Sequence, residues 1–87
     1  MIRVYIPPSA RALASGKEFA EVSATTVREA VKQLDQLFPG IADLLIQNNQ
    51  LRAGWCVSIG GSVSSLGLLT KVPPDSEVHF LPLVGGG

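Results

Sequence analysis

One stretch of the chain admits a single reading. Thr26 is followed three residues later by Glu29, a spacing in which the hydroxyl and the carboxylate each satisfy one orphan amide at a helix start. Behind this signal Val27, Ala30, Val31, Leu34, Leu37 and Phe38 recur at helical spacing on one stripe. Arg28, Glu29, Lys32, Gln33, Asp35 and Gln36 take the other side, and Pro39-Gly40 stops the run. A helix with one apolar stripe has to bury it against another layer. At 87 residues there is room for one domain, burying about 60% of its unfolded surface around one core.

The layer that the helix covers is read from alternation. Ile2, Val4 and Ile6 alternate with Arg3 and Tyr5, a first strand ended by Pro7-Pro8. Ser9 to Gly16 reads as a small-residue loop, and Lys17 to Ser23 as a second strand whose inward face is undecided between Phe19, Ala20 and Val22. After the helix, Ile41 to Ile46 suits one or two further helical turns and Gln47 to Gln50 a polar loop. Trp55, Val57 and Ile59 alternate with Cys56 and Ser58, and Gly60-Gly61 closes that strand with a tight turn. Leu66, Leu68 and Leu69 stand in a loop-like context, and Val72 to Ser76 forms a turn that launches the last strand. There Val78 and Phe80 share one face and Glu77, His79 and Leu81 the other. Phe80 is expected in the core with Val4, Val31, Leu34, Val57 and Val78. The order predicts an α+β domain in which one mixed sheet of four to five strands wraps across one main helix.

Composition removes several classes of function. Seven basic residues balance seven acidic ones without runs of either sign, so no nucleic acid and no anionic membrane surface is expected as a partner. A single cysteine, Cys56, forms no internal disulfide, and with one histidine, His79, no metal site of the Cys/His kind can be assembled. Cysteine usage of this sort fits a reducing, cytoplasmic setting. The opening apolar stretch is broken by Pro7-Pro8 before it reaches signal-peptide length. No apolar segment approaches the roughly 20 residues that span a bilayer. A Cys56 nucleophile would depend on His79 as its base, with no third group to orient the imidazole. Neither paired carboxylates nor a phosphate loop replaces it, since nothing follows the terminal glycines and Gly60-Gly61-Ser62 reads as a hairpin. The side chains do not equip the chain as an enzyme.

What remains is the end of the chain. Val78 to Val84 is an apolar, strand-like run, and Gly85-Gly86-Gly87 follows it. Glycines have nothing to bury and lose the most backbone entropy on ordering, so residues 85–87 are expected as a flexible tail beyond a domain of residues 1–84. Three residues reach about 10 Å when extended, enough to carry the Gly87 carboxylate into another protein's active site. Tyr5, Leu81 and Leu83 stand at positions that alternation points away from the helix, and an apolar patch there would serve partner docking.

In the order of its elements and above all in its tail, the sequence resembles the ubiquitin-like sulfur carrier proteins. That group contains the small subunit of molybdopterin synthase and the thiamine-biosynthesis sulfur carrier. The resemblance rests on Asp75 to Gly87, with Leu81-Pro82-Leu83-Val84 ahead of Gly85 and Gly86-Gly87 in the place of the terminal diglycine. Gly85 departs from the alanine or serine more usual there. The resemblance implies a β-grasp, ubiquitin-like fold and a carrier cycle, with no cofactor bound by this chain. In that cycle an E1-like adenylating partner, using ATP and magnesium, activates the Gly87 carboxylate. Sulfur then displaces AMP to leave a thiocarboxylate, which serves a sulfur-accepting synthase or large subunit. Molybdopterin, thiamine, cysteine and related routes share this tail. The alternatives are a modifier conjugated through Gly87 and a non-reactive ubiquitin-like interaction module.

Overall fold

The computed structural model describes residues 1–83. Its strands are β1 (Ile2–Tyr5), β2 (Phe19–Val22), β3 (Ile46–Gln47), β4 (Gln50–Leu51), β5 (Trp55–Ile59), β6 (Ser62–Ser64) and β7 (Glu77–Pro82). Two α-helices, α1 (Val27–Leu37) and α2 (Ile41–Leu45), lie between β2 and β3. The main sheet has five strands in the order β2-β1-β7-β5-β6, and β3 pairs with β4 as a separate hairpin. The first and last strands meet at its centre in parallel, Val4 opposite Val78, while the other main-sheet pairs are antiparallel. A parallel pair cannot be closed by a tight turn, and here everything between β1 and β7 forms the connection. This is the mixed sheet across one main helix that the element order predicts.

The core follows the two periodicities. Ile2, Val4, Val57, Val78 and Phe80 from the sheet and Val27, Ala30, Val31 and Leu34 from α1 are buried in one cluster, as the alternation and the helical stripe require. On β2, Val22 is buried and Ala20 half-buried while Phe19 faces solvent, which settles the face left open by sequence. Leu37 departs from expectation, being 55% exposed. The backbone leaves helical geometry at Phe38, with φ −133° and ψ 83°, and Phe38, not Leu37, packs against the core.

Local chemistry explains the helix ends. The Glu29 amide donates to Thr26 Oγ1 at 3.2 Å, while the Glu29 carboxylate accepts from the Thr25 amide at 3.0 Å and the Thr25 hydroxyl at 2.6 Å. The reciprocal half of the capping pair therefore reaches one residue further back than the sequence pattern predicts. At the other end Asp35 Oδ1 accepts from the Gly40 and Ala42 amides at 3.1 and 3.0 Å. Those are free amides at the start of α2, so an acceptor on α1 joins the two helices.

Three segments differ from their expected loops. Pro8–Ala14 is a 3-10 helix that buries Ala10 and Ala14, because Pro8 presets the backbone angle of a first helical turn and the two alanines let the turn approach the core. Gln47 to Gln50 is the tip of the β3–β4 hairpin, with Asn48 and Asn49 at φ 53° and 65°, the left-handed region that asparagine tolerates. Beyond Gly60-Gly61 the short strand β6 pairs with β5, and Leu68 is buried while Leu66 and Leu69 stay outside.

Candidate functional site

Each strand of the main sheet has one face on the core, so every second residue points away from α1. Register lines these outward residues up. Phe19 pairs with Tyr5, Tyr5 with His79, His79 with Ser58 and Ser58 with Val63, a continuous row across all five strands. One step towards the end of β7, Leu81 pairs with Cys56. One step the other way lie Glu21, Arg3 and Glu77.

The aromatic members of the row touch. The Tyr5 and His79 rings stack with centroids 4.1 Å apart, and Phe19 tilts against Tyr5 at 5.5 Å. The Arg3 guanidinium lies 4.3 Å from the centre of the Phe19 ring and pairs with Glu21 at 3.5 Å. Arg3 thereby covers one flank of the strip while its charge stays in water. Among the expected docking residues, Tyr5 is half-buried beneath these neighbours, and Leu81 and Leu83 are 39% and 57% exposed. Val63, 66% exposed, and Phe19, 38% exposed, belong to the same face and escaped sequence reading. The signal for Phe19 was its alternation with the inward Ala20, legible only once Val22 is known to be buried. Val63 lies on a strand whose neighbours are serines.

Cys56 and His79 sit diagonally on this face, each directly opposite another residue, Leu81 and Ser58 respectively. Among the described residues no group of three or more His, Cys, Asp and Glu side chains could hold a metal ion, and no helix is long and apolar enough to cross a membrane. A concavity of about 450 Å³ is an open groove among Arg28, Asn49, Leu66 and Leu69. Its guanidinium is already engaged by the Asn49 side chain and carbonyl at 2.8 and 3.1 Å.

The last strand delivers the chain end. Pairing of β7 with β5 runs to Pro82 opposite Trp55, and the Leu83 amide then donates to the Gly54 carbonyl at 2.7 Å. Gly85, Gly86 and the Gly87 carboxylate, which the sequence singles out, lie outside the described residues.

Among solved structures, a chain of the Amycolatopsis orientalis BexX/CysO complex superposes with a TM-score of 0.90 at 26% identity, covering 100% of both chains. Mycobacterium tuberculosis CysO matches with a TM-score of 0.86 at 22% identity over 97% of this chain and 100% of its own. The small archaeal modifier protein 1 of Methanosarcina acetivorans matches at 0.78 and 21% identity over 99% and 95%. No family model and no curated protein sequence matches the chain. With its mixed sheet wrapped across one main helix and this likeness over nearly the full length of its neighbours, the chain has the β-grasp, ubiquitin-like fold that its tail and element order led one to expect.

Proposed function

We propose that the chain carries sulfur on the carboxylate of Gly87, as a co-substrate of a partner and not as an enzyme. One observation carries this reading: the central strand β7 ends at Pro82 and leads through Leu83-Val84 into the glycines Gly85-Gly86-Gly87, on a fold matched from end to end by a chain of the BexX/CysO complex. A carboxylate is a poor electrophile, because its negative charge repels an incoming sulfur anion and oxide is a poor leaving group. An adenylating partner would remove both obstacles, joining the carboxylate to AMP with release of pyrophosphate from ATP. Sulfide then displaces AMP and the chain end becomes a thiocarboxylate. A persulfide in its place would leave an acyl disulfide, from which a second thiol releases the thiocarboxylate by forming a disulfide with the donor's sulfur. The ATP and magnesium belong to that E1-like partner.

Docking falls to the outward sheet face through Tyr5, Leu81 and Leu83. Its exposed leucines flank a stacked aromatic strip that is already ordered, so little side-chain freedom is lost on contact. The Amycolatopsis neighbour comes from a complex of two proteins, which supports a protein partner here. A sulfur-accepting synthase or large subunit would take the thiocarboxylate from the same face.

The test is intact-mass spectrometry of the protein after incubation with ATP, a sulfide donor and an extract of its own cells. Replacement of one oxygen by sulfur, mapped to the C-terminal peptide ending in Gly87, is the expected result. Adducts through lysines of other proteins would point instead to a modifier, and an unchanged mass to a non-reactive interaction module.

A further inference from the structure

The turn Arg52–Trp55 does more than start β5. Its Gly54 carbonyl holds the Leu83 amide at 2.7 Å, one residue past the last paired position of β7. The same turn is bound to the end of α2 in three places. The Arg52 amide donates to Leu45 O at 2.7 Å, Arg52 Nη2 to Asp43 O at 3.2 Å and Trp55 Nε1 to Leu44 O at 3.1 Å. These are the final carbonyls of a helix that spans Ile41–Leu45, groups that lack partners within a helix. Three consecutive helix-end acceptors are thus answered by the one turn that grips the exit of the last strand. Trp55 also packs its ring against the core, so the indole bond orients a side chain that is itself fixed. Gly54 sits at φ 96°, and a Cβ there would meet nothing within 4 Å. The need for glycine at this position is one of backbone conformation, not space.

We infer that this turn is a clamp that sets where the reactive chain end leaves the body, with Gly54 and Trp55 as positioning residues for reaction at Gly87. The inference rests on the sulfur-carrier reading. With Leu83 held, four residues remain, spanning at most about 14 Å. Releasing Leu83 and Pro82 adds about 7 Å of free chain, spreads the carboxylate over a larger volume and lowers its effective concentration in a partner's site. Reaction demands alignment finer than that slack, since a misplacement of about 1 Å can cost a factor near 100.

Two variants test the clamp. Gly54→Ala strains the turn without filling space, and Trp55→Phe removes the indole donor while keeping a ring in place. In both, amide hydrogen exchange at Leu83 should accelerate at least tenfold, with Phe80 unchanged as an internal reference for the sheet. The turnover rate of sulfur loading should fall about tenfold, at unaltered affinity for the adenylating partner. Inserting one glycine after Leu83 should impair loading strongly in the wild type but add little in either variant, because the slack is already present. Faster exchange at Leu83 with undiminished loading would make the turn a structural feature only and overturn the inference. So would a Leu83 amide unprotected in the wild type. A wild-type protein that never acquires sulfur, with Leu83 protected, would instead reject the reading of Gly87 and, with it, the clamp's role in loading.

Discussion

The ring of Tyr5 lies flat against the imidazole of His79, with centroids 4.1 Å apart and planes 11° off parallel. The contact is dictated by the parallel register of β1 and β7, which sets these residues opposite one another on the outward face. It ties the first strand to the last at the sheet centre and gives the face a rigid aromatic floor. Leu81, two residues beyond His79 on the same strand face, stands 39% exposed beside it.

Leu81→Glu should weaken binding to the adenylating partner by at least tenfold while leaving the thermal midpoint nearly unchanged. The substitution puts a charge at the centre of an apolar contact, where a desolvated and unpaired group is costly, yet Leu81 is no member of the buried core cluster. Titration calorimetry with the partner, alongside a melting curve, checks both halves. Unaltered affinity would remove Leu81 from the docking surface.

Phe80→Ala should destabilise the fold by about 3–5 kcal/mol, the usual cost of truncating a packed aromatic. Phe80 is 4% exposed in the cluster with Val4, Val31 and Val57. That is a large share of the about 5–15 kcal/mol that holds a typical domain. Urea denaturation with a fixed slope gives the number, and a loss under about 1 kcal/mol would contradict the packing described here.

Removing Gly86 and Gly87 should leave the melting temperature unchanged and abolish sulfur loading. Among the described residues the core cluster draws on nothing beyond Phe80, whereas the carboxylate would be withdrawn by about 7 Å. If the truncated protein still acquired sulfur, peptide mapping should find it on Cys56, and the chemistry assigned to Gly87 would be wrong.

The Glu29 carboxyl should titrate below the ordinary glutamate range, because the Thr25 hydroxyl and then the Thr25 amide donate to its charged form. A depressed folded-state pKa stabilises the fold above the unfolded value, near 4.5. That contribution is lost as pH falls from there through the folded value. Thr25→Ala removes the leading donor, so NMR titration of the Glu29 side chain should show its midpoint move upward. The stability gap between wild type and variant should be full at pH 7 and close in acid.

Much of this architecture was legible from period alone. The stripe from Val27 to Leu34 and the alternation in Ile2–Tyr5, Trp55–Ile59 and Val78–Leu81 named the buried face of each element, because side-chain direction is local geometry. Turn chemistry at Gly60-Gly61 and the stop at Pro39-Gly40 were equally local. The glycine run at residues 85–87 was likewise a matter of reading residues in order, and it carries the functional proposal.

Tertiary structure decided what local rules leave degenerate. Which of Leu37 and Phe38 is buried depended on where the chain leaves α1, and Pro8–Ala14 became a 3-10 helix because two alanines found a core to pack on. The strand order was invisible in sequence, and with it the row from Phe19 through Tyr5, His79 and Ser58 to Val63. Such neighbours are created by pairing between segments far apart in the chain, which period does not encode. The grip of Gly54 on Leu83, backed by α2 through Arg52 and Trp55, is of the same kind. The residues of the tail announce themselves in the sequence, but the point from which the tail departs exists only after the last strand has found the centre of the sheet.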